Sequence, residues 1–391
     1  MAKKPFKYAI LALGTLILIA VSAVSIPYTY SFPSTSFELH PYFSYSSQDI
    51  RALEALDSDK LITQTEVDHW IQVVFNLVKK GQNEMDATRL YGYLFTAQRD
   101  AAALSYSAKK RLAGTLAAVS KQTLCLLLPK KCTLIPPSDE PDAYSLKIAE
   151  IVTKQVSERL KEERRILEAY PKPIPPKDWD QSKTYFGSNF GHQKTWLIHS
   201  GNQFRPGNPK AYGKEEILLQ KQDLVKILSS LTKEQQQLAE KWSAGSGTIL
   251  TSGQWIALTD SYMEKHHIPL EKSILIRSIL AMGLNDATIA YFDTKYTYWK
   301  KRPHMLFPDI KLKIKSSSSP SYLSGHATLS MAAAIIMDHY FPENQNQWDK
   351  TAAEIAHSRL WGGVHFPIDD QDGLELGRKI GEWIVSKISN K

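Results

Sequence analysis

Between residues 61 and 388, apolar side chains recur at the three-and-four spacing of an α-helix, while strand-like alternation is weak and β-branched runs are short. Leu61 to Lys79 shows the pattern: Val67, Trp70, Ile71, Val74, Phe75 and Val78 form one stripe. A second pattern runs from about Asp86 to Ser120, with an expected break near Tyr106. Further helices are expected at Asp142–Ala169, Lys214–Ser230, Thr232–Trp242, Gly253–His266, Leu270–Tyr296, Ser324–Tyr340, Trp348–Trp361 and Asp369–Ile388. The chain therefore reads as all-α, one large helical domain built around a bundle. Gly373, Gly377 and Gly381 share one face of the last helix, and close helix–helix contact accounts for three in register.

Proline divides this pattern. Pro136, Pro137 and Pro141 form one cluster, and Pro171, Pro173, Pro175 and Pro176 another. Each ends a helix, because proline lacks the amide donor and disfavours helix in the residue before it. The expected organisation is a hydrophobic N-terminal segment (1–27), a linker (28–48), an N-terminal helical part (49–176) and a catalytic part (177–391).

The first segment reads as an export signal. Lys3, Lys4 and Lys7 precede an uncharged run from Tyr8 to Ile26, nearly long enough as a helix to cross a hydrocarbon core. Val21-Ser22-Ala23 resembles a small-x-small cleavage site, so the segment is a signal peptide or a retained single-pass anchor. The length of the run favours the anchor, with the remaining chain outside the cytoplasm; cleavage would make the protein secreted. In an exported domain a disulfide between Cys125 and Cys132 is permitted, and two unpaired thiols are the alternative. The net charge of +8 favours anionic partners, but no basic stripe with interleaved aromatics points to nucleic acid.

Three islands carry the chemistry: Lys295-x6-Arg302-Pro303, Ser324-Gly325-His326, and Ser358-Arg359-x5-His365-x3-Asp369. They supply three cations, a hydroxyl, two imidazoles and a carboxylate, a set suited to gripping a tetrahedral oxyanion. Ser324 fits a helix N-cap, whose free amides attract anions and where Gly325 permits close approach. Asp369 can take the Nδ1 proton of His365 and leave Nε2 bare. Taken singly, the islands read more readily as a solvated basic turn, an ordinary cap and a loop histidine with a capping Asp. Asp286 and Asp293 share a helix face; one of them could pair with Lys295, two solvated acids are an equal reading, and Asp293, two residues from Lys295, points elsewhere on a regular helix.

In order and spacing the islands resemble the motif K-x6-RP, PSGH, SR-x5-H-x3-D of the superfamily shared by type 2 phosphatidic acid phosphatases, bacterial acid phosphatases and vanadium-dependent haloperoxidases. Only Leu323 departs, standing where that motif has proline. Asp286-Ala287, Asp293-Thr294-Lys295-Tyr296 and Gly362-Gly363-Val364-His365-Phe366 resemble the bacterial haloperoxidase-like branch, as more faintly does Thr88-Arg89-Leu90-Tyr91 through Ala97. The resemblance is specific over Leu270–Ile388 and faint from about Asp86 to Pro269.

It implies a helical-bundle fold and a phosphatase acting on a small-molecule or lipid phosphate ester. Lys295, Arg302, Ser324, Gly325 and Arg359 would bind the anion. His365, oriented by Asp369, would be the nucleophile, and His326 the general acid and base. No metal or other cofactor is implied for that activity. The alternative is a vanadium-dependent haloperoxidase with His365 as the vanadate ligand. A third reading is a non-catalytic protein that binds anions or lipid headgroups.

Overall fold

The computed structural model describes residues 39–136, 140–171, 173–179, 185 and 187–389. The expected N-terminal hydrophobic helix lies outside these residues. Among the described residues there are thirteen α-helices and no strand, only one isolated bridge between Leu61 and Ala113. In chain order they are α1 (Ser47–Glu54), α2 (Gln64–Lys79), α3 (Glu84–Lys109), α4 (Ala117–Leu127), α5 (Ala143–Ala169), α6 (Glu216–Ser229) and α7 (Lys233–Lys241). There follow α8 (Leu250–Lys265), α9 (Leu270–Tyr298), α10 (Pro303–Leu306), α11 (Gly325–Tyr340), α12 (Gln345–Trp361) and α13 (Pro367–Ile388).

Side-chain caps set many of the boundaries. Thr63, Asn83, Asp142, Thr232 and Ser324 each accept a first-turn amide of the helix that follows. The expected helix over 86–120 is two helices. Its break falls later than Tyr106, where Lys110 turns left-handed (φ 55°) and closes α3.

The centre of the bundle is α3, α9 and α11, with α13 laid along α11. Leu270–Leu306 is long and apolar enough by composition to cross a membrane, yet 94% of its most apolar window is buried inside the protein. Such a helix is apolar all round because neighbours cover it on every side. The glycine stripe of α13 does what its spacing implies. A Cβ on Gly373 would lie 2.7 Å from the Ser324 carbonyl oxygen, and one on Gly377 2.3 Å from that of Thr328. This contact fixes the N-terminal half of α13 against the first turn of α11, where two of the three islands meet.

Asp286 and Asp293 correct an expectation, for neither pairs with Lys295. Asp293 makes a two-pronged ion pair with Arg205, at 2.6 and 2.7 Å. Asp286 accepts the amides of Trp196, Leu197 and Ile198, at 2.7, 2.6 and 3.0 Å. The two carboxylates of α9 thus anchor the irregular segment between α5 and α6. Burial raises the Asp286 carboxyl to about 6, with the three amides opposing the rise. Asp286→Ala leaves those donors orphaned and is expected to destabilise the protein by about 3 kcal/mol in denaturant titration. Asp286→Asn keeps an acceptor and should cost less. Equal stability of the alanine variant and the parent would refute this anchoring role.

Candidate active site

All three islands face one cavity of about 750 Å³. Lys295, near the end of α9, lies at its base. Trp299 then turns left-handed (φ 50°) and stops the helix. Arg302 follows, and Pro303 starts the short α10 rather than halting a helix, as suits proline at a first helical position. Gly325 and His326 open α11. Arg359 closes α12, where Gly363 supplies the left-handed turn (φ 73°) and Gly362 packs on Ile314. That turn delivers His365 to the cavity, and Pro367 opens α13 with Asp369 in its first turn.

Lys295, Arg302, Gly325, His326, Arg359 and His365 line the cavity, while Ser324 and Asp369 do not. Ser324 is fully buried in the wall, where its hydroxyl accepts the Ala327 amide at 3.4 Å. Asp369 sits behind His365. Gly325 is required by its surroundings, because a Cβ there would meet the Tyr291 ring at 2.9 Å. Leu323 is buried, so the departure from proline is absorbed by apolar packing.

The protonation state of His365 follows from its partners. Its Nδ1 lies 3.0 Å from Asp369 Oδ2, and its Nε2 lies 3.3 Å from Arg302 Nη1. A guanidinium can only donate and a carboxylate only accept. Nδ1 therefore carries the hydrogen, and the lone pair of Nε2 faces the cation.

Two further residues hold Asp369, and sequence reasoning missed both. Tyr212 donates its hydroxyl to Oδ1 at 2.8 Å, and Ser321 donates to Oδ2 at 2.5 Å. The Phe366 amide adds a third bond, to Oδ2 at 3.0 Å. Burial pushes the Asp369 carboxyl up, and these donors push it back down. Tyr212 ends a single 3-10 turn, Lys210–Tyr212, remote in sequence from every island. Ser321 stands just before the second island, but nothing in its spacing assigned it a partner.

The cations retain capacity for a ligand. Lys295 Nζ donates to the Pro320 and Ser321 carbonyls, at 2.6 and 2.9 Å, leaving one of its three hydrogens. Arg302 is fixed by the Ser319 and Val364 carbonyls, at 2.8 and 2.9 Å. Arg359 is fixed through Nε to Ser358 Oγ at 2.9 Å and through Nη2 to the Ala239 carbonyl at 3.2 Å. Its Nη1 has no acceptor among the described residues. Burial lowers both guanidiniums to about 10, so they stay cationic at neutral pH.

The imidazoles move the other way. Burial first, then the charge of Arg359, holds His326 well below its ordinary value; burial and Arg302 do the same to His365. His326 Nε2 is buried and has no hydrogen-bond partner among the described residues. Such an atom, beside a cluster of cations, fits a site that an oxyanion completes.

Comparison with known proteins bears on the fold. Residues 344–391 match the family model of the VCPO second helical-bundle domain. A bacterial vanadium-dependent iodoperoxidase superposes with a TM-score of 0.63 at 18% identity, covering 85% of this chain and 98% of that one. The chain has the helical fold of the bacterial vanadium haloperoxidases. A holo-type bacterial vanadium-dependent chloroperoxidase superposes with a TM-score of 0.57 at 13% identity, covering 82% of this chain and 93% of that one. A non-specific acid phosphatase of Providencia stuartii is 30% identical over 99 residues, 24% of this chain. The match spans only 40% of that phosphatase's length. The structural likenesses, at these identities, show the fold alone. Both chemistries occur among the relatives.

Proposed function

We propose that the protein is a phosphatase that hydrolyses phosphate monoesters through a phosphohistidine on His365. The observation that carries this reading is the opposed pair of bonds on that imidazole, Asp369 at Nδ1 and Arg302 at Nε2. It leaves a nucleophilic lone pair aimed at the place where the cations converge.

The ester's phosphoryl group lies among Lys295, Arg302, Arg359 and the free amides at the start of α11. His365 Nε2 attacks phosphorus, and the N–P bond forms as the ester P–O bond breaks. The Nη1 hydrogen of Arg302 that pointed at Nε2 is then free to bond a phosphoryl oxygen. His326, protonated at Nε2, passes that proton to the leaving oxygen. It then removes one from the water that cleaves the N–P bond, which releases inorganic phosphate and restores the lone pair.

In the free protein His326 is neutral, because burial and surrounding cations oppose its charge. A bound dianion offsets those cations and so raises the imidazole. The expected result is an NMR titration of His326 with a midpoint below ~6.5 in free protein and a higher one with phosphate bound. Coincident midpoints would refute this assignment of the acid.

A second reading is favoured by the family-model match over residues 344–391. In a vanadium-dependent haloperoxidase, Lys295, Arg302, Arg359 and the Gly325 amide would hold vanadate, with His365 as its protein ligand. The residues present fit such a group, which when bound would supply the activation of peroxide toward halide. His326 would again move the proton. A side-by-side assay separates the readings. Phosphate release that vanadate inhibits supports the phosphatase, and dye bromination that needs both vanadate and peroxide supports the haloperoxidase.

We also propose that the catalytic part works outside the cytoplasm, held to the membrane through its N-terminal segment. The Cys125–Cys132 disulfide supports that placement, since such bonds persist in oxidising compartments.

A further inference from the structure

We infer that the mouth of the cavity holds a second anion, so that the preferred substrate is a phosphate monoester whose leaving group carries its own acidic group. The inference rests on the phosphatase reading and names the substrate class for that site. A volume of about 750 Å³ is that of a pocket enclosing a drug-sized ligand, far more than a bare oxyanion fills. The rest of the lining is a mixed stretch, with Met85, Tyr291 and Phe292 beside Gln82, Asn83 and the serines at 316 to 319. That stretch suits the organic body of an ester.

The mouth itself is cationic. Lys313 and Lys315 line it, both exposed, on either side of a half-buried Ile314. Ile314 packs on Gly362, and the Lys313 amide donates to the Gly362 carbonyl at 3.0 Å, so the segment carrying both lysines is fixed to the end of α12. Neither ammonium has a carboxylate partner among the described residues. Nearby lysines do: Lys221 pairs with Asp309 at 2.8 Å, and Lys301 with Asp178 at 2.8 Å. Of the two acids in the cavity lining, Glu84 is engaged by the Thr251 and Ser252 amides at 3.1 and 2.9 Å, which leaves Glu240 on the rim. Two exposed cations without a carboxylate partner, lining the same cavity as the phosphoryl cradle, match a ligand that carries a second anionic group.

The test compares a hexose bisphosphate with the corresponding hexose monophosphate, in the parent and in K313Q/K315Q. The parent is expected to favour the bisphosphate in kcat/KM by roughly tenfold, the size of two partly exposed charge contacts, and the double variant to bring the ratio close to one. A parent ratio near one, or a ratio that the variant leaves in place, overturns the inference. If neither ester is hydrolysed the phosphatase reading fails, and calorimetric affinities of the two esters decide the mouth site separately. A bisphosphate preference lost in K313Q/K315Q upholds it, and equal affinities overturn it.

Discussion

His365→Ala is expected to release phosphate from para-nitrophenyl phosphate at less than roughly one thousandth of the parent rate, because it removes the atom assigned to form the N–P bond. The loss should come without unfolding. Asp369 keeps the Tyr212 and Ser321 hydroxyls and the Phe366 amide, so its buried carboxylate is not stranded. The alanine leaves a void beside a cavity already open to water, which limits the cost of removing the ring. Circular dichroism and thermal unfolding check that the variant is folded. A folded variant with the parent rate would exclude His365 as nucleophile.

The second large effect is expected at Arg302. Its guanidinium joins three things: the Ser319 carbonyl, the Val364 carbonyl and the lone pair of His365. Arg302→Ala removes a phosphoryl-binding cation and also leaves two carbonyls without their donor. We expect kcat/KM to fall roughly a thousandfold, with a loss of stability of about 2 kcal/mol. Arg302→Lys restores a charge but not a planar fork, so it should recover only a small part of the activity. Full recovery by lysine would show that charge alone matters there and would contradict the geometry assigned to Arg302.

Much of this molecule was legible in its sequence, for identifiable reasons. Stripes such as Val67, Trp70, Ile71, Val74 and Phe75 marked α2 because one face of that helix meets solvent. For α9 and α11, length and composition revealed the helix but not its neighbours, since a helix buried on all sides has no distinctive face. The glycines of α13 were readable because only a close approach explains three in register. The islands could be read because anion binding and imidazole orientation depend on residue type at short spacing. What acts through long-range contact left no such trace. Asp286 and Asp293 stood out as a pair, yet their partners come from an irregular segment some ninety positions away. The hydroxyl of Tyr212 reaches Asp369 across 157 positions, and no local pattern marks it.

The most direct test of the account is to stop the reaction during turnover of a radiolabelled phosphate ester and map the label. An acid-labile, alkali-stable phosphoryl group is expected on the peptide that carries His365, absent from His365→Ala. Steady turnover with no label on that peptide, or with the label on another residue, would contradict it.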